Sequence, residues 1–128
     1  MDKAMLGRLG EDAAAKYLRK KRYSILLRNE KIGHWEQDIV AENREFLVFC
    51  EVKSRTVNAQ NEPSAYGRPA SAVDAKKQQN LLSFARAYLR NHPTKKRIRF
   101  DVIEVLYSRD GEQAPLSVTH IEGAFSAR

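Results

Sequence analysis

A chain of 128 residues, 42% hydrophobic and 30% charged, has room for one ordinary domain spanning 1–128, with a real core and at most one active site. Its 23 Lys and Arg outnumber 16 Asp and Glu for a net charge of +7, which makes a polyanion the natural partner. The single cysteine, Cys50, permits no intrachain disulfide, and no apolar run approaches the roughly 18 residues of a membrane span, so a soluble, cytoplasmic protein in a reducing compartment is expected.

From Lys3 to Arg22 the residues Leu6, Leu9, Ala13, Ala14, Tyr17 and Leu18 recur at helical spacing among charges, which predicts an amphipathic helix. Tyr23 to Arg28 is short and rich in strand formers, and Asn29 to Gly33 reads as a turn or strand end. Two strands follow, Trp35 to Glu42 and Glu45 to Ser54, joined by Asn43 and Arg44 with room only for a tight reversal. The segment 56–71 carries Asn58, Asn61, Pro63, Gly67 and Pro69 with little apolar pattern, and a structureless stretch of that length is functional or mobile. A second helix, Ala72 to Asn91, places Val73, Leu81, Phe84, Ala85, Tyr88 and Leu89 on one stripe and is closed by Pro93. Strands at Ile98 to Tyr107 and Leu116 to Ile121, joined through Asp110-Gly111, complete an α/β order of α-β-β-β-α-β-β, a mixed five-stranded sheet with helices packed on it.

Charge interrupts this apolar pattern in one place. In Glu51-Val52-Lys53 the alternation of a strand puts Glu51 and Lys53 on one face and Phe46, Val48, Cys50 and Val52 on the other. A two-residue turn at Asn43-Arg44 sets Asp38 opposite Phe49 and Glu36 opposite Glu51, with all the acids facing the same way. An odd-numbered turn would flip Asp38 to the other face. Facing carboxylates repel unless something positive lies between them. Mg²⁺, which takes oxygen ligands and is held by one or two carboxylates plus substrate phosphate, suits such a pair. Glu11 lies on the edge of the first helix's apolar stripe, where it can point into a cleft above the hairpin. Lys77 falls inside the stripe of the second helix, either snorkelling to water or contacting a phosphate.

These residues together resemble the PD-(D/E)XK nucleases: an acid in the first helix, an Asp upstream of Glu-x-Lys, and a helix carrying Lys-Gln. The chain more closely resembles the small bacterial YraN family of endonuclease-like proteins, itself similar to archaeal Holliday junction resolvases. The motifs are Gly10-Glu11, Glu36-x-Asp38, Val48-Phe49-x-Glu51-Val52-Lys53-x-Arg55, Lys77-Gln78 and Arg99-Phe100-Asp101-Val102. The resemblance implies a restriction endonuclease-like three-layer fold, with Asp38, Glu51 and Glu11 as ligands of Mg²⁺ or Mn²⁺ and Lys53 as the catalytic lysine. Lys77, Gln78, Arg55 and Arg68 are then candidates for nucleic-acid contact, Glu36 is a candidate additional acid, and a homodimer is suggested by analogy. The chain departs from the family in reading Trp35-Glu36-Gln37-Asp38 where Gly-Glu-Ile-Asp is usual, and in placing Arg22 where glycine usually precedes Tyr23.

The remaining signals are weaker. His34, His92 and His120 have no spacing for a zinc site and read as surface or strand-end residues. Asp101 is expected to pair with a lysine or arginine rather than join the site. Tyr66, Trp35 and Tyr88 are core or base-stacking aromatics. The basic runs Arg19-Lys20-Lys21-Arg22, Lys76-Lys77 and Lys95-Lys96-Arg97 suit phosphates or form a solvated face. Two functions follow as expectations: a metal-dependent nuclease acting on DNA, branched or single-stranded, or a nucleic-acid-binding protein that keeps the fold without cutting. A basic scaffold for a protein partner is the third.

Overall fold

The computed structural model describes residues 2–58 and 73–126. Arg68 and Tyr66 lie outside the described residues, as does most of the segment expected as a loop.

The chain folds as α1 (Lys3–Lys20), β1 (Ser24–Ile32), β2 (Trp35–Glu42), β3 (Phe46–Val57), α2 (Ala75–Asn91), β4 (Arg97–Ser108) and β5 (Ser117–Phe125). Both helices begin at an aspartate whose carboxylate accepts an otherwise orphaned amide: Asp2 from Met5 N at 2.7 Å and Asp74 from Lys77 N at 2.8 Å. The strands lie side by side in chain order, β1-β2-β3-β4-β5. Every pairing is antiparallel except that of β3 with β4, which α2 connects as a crossover.

The helices cover opposite faces of the sheet. Ala14, Ala15 and Leu18 of α1 pack on Ile39, Ala41, Val48, Cys50, Ile103 and Val105. Leu82, Phe84, Ala85 and Tyr88 of α2 pack on Val40, Leu47, Phe49 and Phe100. The α/β order and the three layers agree with the sequence pattern, and Cys50 is the small core residue expected, its thiol pushed well up by burial. Among the described residues no helix is long and apolar enough to cross a membrane.

Several boundaries move. Of the turn or strand end expected at Asn29 to Gly33, the strand end holds: β1 continues to Ile32, and its reversal into β2 is made by Gly33, at φ +61°, and His34. β3 continues to Val57 because parallel pairing with β4 holds it to that residue. β5 runs to Phe125, four residues beyond the strand expected to end at Ile121.

Gly10 fixes how closely α1 approaches the sheet. A Cβ there would lie 1.6 Å from Ser54 Oγ and 2.8 Å from Ser54 Cβ, so the helix touches β3 only because glycine has no side chain. Gly10→Ala is expected to destabilise the protein by about 1–3 kcal/mol, the usual cost of overpacking. Thermal melts should show the loss, and Ser54→Ala in the same chain should recover part of it. Full wild-type stability in Gly10→Ala alone would show that the contact is not limiting.

Candidate functional site

The geometry of the site is set by the turn between β2 and β3. Asn43 N donates to Phe46 O at 3.0 Å, and Asn43 Oδ1 accepts from the amides of Glu45 and Phe46. The side chain thus closes a turn whose central residues are Arg44 and Glu45, neither of which needs positive φ. The reversal sits one residue later than Asn43-Arg44. It still holds two residues, so the faces are as expected while the register moves by two. Glu42 pairs with Leu47 and Ile39 with Cys50, and one further step sets Asp38, not Glu36, opposite Glu51. Asp38, Glu51 and Lys53 share the sheet face of Val40 and Phe49, beneath α2.

The ladder between β2 and β3 ends at Ile39 and Cys50. Beyond it, side chains replace the backbone. Val52 N donates to Asp38 Oδ2 at 2.8 Å, and the Cys50 carbonyl accepts from Gln37 Nε2 at 2.8 Å. Gln37 is 2% exposed, and its Oε1 is buried with no hydrogen-bond partner among the described residues. Here Asp38 meets Glu51. Burial, followed by the charge of Glu51 and a hydrogen bond with it, pushes the Asp38 carboxyl up to about 8, against the opposing pull of the Val52 amide and Lys77. The Glu51 carboxylate is nearly buried, and its Oε2 lies 3.6 Å from Lys53 Nζ and 3.3 Å from Lys77 Nζ. Lys77 therefore does not simply snorkel to water: its ammonium leans onto the candidate site.

Where β2 and β3 part, Asp38 and Lys53 also border a cleft of about 640 Å³ that extends to Ser54 and to Glu11 and Arg28 on the α1 side of the sheet. Glu11 faces this cleft as expected, but its carboxylate accepts from Arg28 Nε at 3.1 Å, and the same guanidinium bonds Asp12 at 2.5 Å. Among the described residues no three His, Cys, Asp or Glu side chains converge as a metal cage. Asp38 and Glu51 form a pair, and Glu11 stands apart behind Arg28. Glu36 is exposed and pairs in register with Lys31 of β1.

The other named residues lie around this pair. Arg55 donates from Nε to Glu104 Oε2 at 3.1 Å. Gln78 Nε2 donates to Val73 O, so its amide serves the start of α2. Glu104, 3% exposed, was missed by sequence reasoning; the signal was a charge within the apolar run of β4, where it pairs in register with Lys53. Gln37 and Arg28 were also missed, the first flagged only by a polar residue in an apolar strand.

Asp101 is fully buried and, as expected, belongs to a structural network. Arg99 bonds it through Nε and Nη2, both at 2.8 Å, and the Gly123 amide donates at 3.0 Å. Burial alone would raise this carboxyl, but the bonds from His120, Arg99 and Gly123 hold it below its ordinary value. His120 is not a surface residue. Its side chain is 4% exposed, with Nε2 2.6 Å from Asp101 and Nδ1 3.2 Å from the Tyr17 hydroxyl. Nothing in its spacing announced this, because its partners come from α1 and β4.

Comparison with known proteins gives a consistent picture. Residues 10–105 match the model of the uncharacterised protein family UPF0102. A UPF0102 protein of Phocaeicola vulgatus is 40% identical over 119 residues, covering 93% of this chain and 90% of that one. Another, from Frankia casuarinae, is 40% identical over 124 residues, covering 96% and 98%. A third, from Syntrophotalea carbinolica, is 42% identical over 121 residues, covering 94% and 90%.

Proposed function

The chain belongs to the UPF0102 family, and we propose that it is a metal-dependent nuclease of PD-(D/E)XK type, hydrolysing phosphodiester bonds in DNA. The observation that carries this reading is the pairing of Asp38 with Glu51 at a broken ladder, where the Asp38 carboxyl is pushed up to about 8 and two lysines lean on Glu51. Two facing carboxylates repel unless a positive charge lies between their oxygens. Its donors are hard, and Mg²⁺ or Mn²⁺ is commonly held by one or two carboxylates with water and phosphate completing the shell. Asp38 and Glu51 would hold the ion, with Glu11 able to join them only on release from Arg28. When bound, the cation supplies charge stabilisation at the phosphate and a lowered pKa for water.

The chain's own residues do the rest. Lys53, beside Glu51 and on the cleft wall, orients the attacking water or balances charge developing on the phosphate. Lys77 and Arg55 would hold neighbouring phosphates, Arg55 being held by the buried Glu104.

One observation favours a second reading, nucleic-acid binding without cleavage: the Arg28 ion pair already engages the helix-borne acid, Glu11. Wild-type protein incubated with Mn²⁺ and a panel of single-stranded, duplex and branched DNA separates the two. The nuclease reading expects cleavage that EDTA abolishes, and calorimetric Mn²⁺ binding. DNA binding without cleavage anywhere in the panel, together with no Mn²⁺ heat, would overturn it in favour of the binding module.

A further inference from the structure

The fold gathers two of the three basic runs at the end of the sheet away from the candidate site. α1 ends beside the start of β1, where Ser24 pairs with Glu42 at the end of β2. The β2–β3 turn follows, and Arg97, opening β4, pairs in register with Phe46 and donates its amide to Glu45 O at 3.0 Å. Tyr23 and Arg99 close the circle through a hydroxyl contact at 2.5 Å. The run from Arg19 to Arg22, the turn residue Arg44 and the run from Lys95 to Arg97 therefore share one end.

The carboxylates at this end are engaged. Glu42 takes Lys96 at 2.8 Å, Glu45 takes Arg97 at 3.2 Å, and Asp101 and Glu122 face Arg99. The six cations left, Arg19, Lys20, Lys21, Arg22, Arg44 and Lys95, are all exposed and make no ion pair with a described residue.

Cations at a helix C-terminus complement its dipole, and that alone would explain Arg19 and Lys20. It does not explain Arg22. This residue follows the C-cap of α1, Lys21, at φ +71°, with its amide on Arg19 O and the next amide on Leu18 O, a left-handed position suited to glycine. A side chain there is strained. A local rule broken in favour of a fourth consecutive positive charge marks a position where charge outweighs stability.

We propose that this end of the sheet is a second nucleic-acid contact surface that grips the phosphate backbone of a duplex without reading sequence. It is separate from the cleft. Glu11 lies nine residues before Lys20, the last residue of α1, about 14 Å at helical rise. Seven strand residues separate Phe46 from Lys53, about 23 Å. With that separation, comparable to the width of a duplex, the end can hold one stretch of nucleic acid while the cleft engages another. The surface does not depend on cleavage: it would serve a nuclease and a binding module alike.

The test uses full-length protein, a 20-base-pair DNA duplex, the RNA duplex of the same sequence, and anionic phosphatidylglycerol vesicles. One variant carries Arg19→Gln, Lys20→Gln, Lys21→Gln and Arg22→Gly; a second carries Arg44→Gln and Lys95→Gln. Thermal melts check folding, with Arg22→Gly expected to offset any stability lost from the helix end. The four-residue variant should bind duplex at least tenfold more weakly in about 0.1 M salt, with a salt dependence of affinity shallower by roughly 3–4. The second variant should show a smaller loss of the same kind. Loss on DNA alone assigns the surface to DNA, and loss on both duplexes assigns it to the shared backbone. In either case the Mn²⁺-dependent cleavage rate at saturating DNA should stay at the wild-type value, which separates this surface from the cleft. Duplex affinity within twofold of wild type in both variants would overturn the proposal. So would loss of vesicle binding with duplex binding intact.

Discussion

Glu51→Gln is expected to lower Mn²⁺-dependent DNA cleavage by about 10²–10³-fold or more, the scale seen when a charge-positioning group is removed from an active site. The geometry gives this substitution a second signature. Glu51 separates two ammonium groups, with Lys53 Nζ and Lys77 Nζ at 3.6 and 3.3 Å from the same oxygen. Neutralising it leaves two cations facing the substrate side with less negative charge between them. DNA affinity should therefore hold or rise while cleavage collapses, a combination that general misfolding cannot produce. Lys77→Gln added to Glu51→Gln should reverse the gain in affinity. The measurement is single-turnover cleavage beside fluorescence anisotropy in EDTA. Parallel loss of both binding and cleavage would assign Glu51 a structural role instead.

Asp38→Asn should change how metal-free protein responds to pH. The Asp38 carboxyl stands at about 8 against its ordinary 3.8, chiefly through burial and then through Glu51. Between these values the folded state keeps a proton that the unfolded state has released, so stability falls as pH rises from about 4 to about 8 and changes no further above that. Wild-type protein in EDTA should thus melt several degrees lower at pH 8 than at pH 5, and Asp38→Asn should flatten that slope. Metal should act in the opposite sense. A divalent cation at this pair needs Asp38 deprotonated, so stabilisation by Mn²⁺ should be larger at pH 8 than at pH 5.5 and absent from Asp38→Asn. Equal slopes for the two proteins in EDTA would remove Asp38 as the controlling group.

Period-two alternation was enough to place Glu51 and Lys53 on one face of β3 and Val48, Cys50 and Val52 on the other. The helical stripes of α1 and α2 were equally legible. The register of Asp38 was not, because it depends on the Asn43 side chain closing the turn at Arg44-Glu45, a choice between two tight reversals of equal length. Which residues surround the carboxylate pair was harder still. Arg28 reaches Glu11 only because β1 lies under α1, and Glu104 stands beside Lys53 only because β4 runs parallel to β3. His120 failed for the same reason: spacing along the chain carries no trace of partners on α1 and β4.

The substitution of a carboxylate for the missing rung of the ladder has a practical consequence for spectroscopy. Val52 donates its amide to Asp38 rather than to a backbone carbonyl of β2, so a single ¹⁵N resonance is coupled to the charge of the group at the centre of the candidate site. The molecule carries its own probe: the Val52 cross-peak should move with the Asp38 proton and again when a cation replaces it, with no label beyond uniform ¹⁵N and no substrate present.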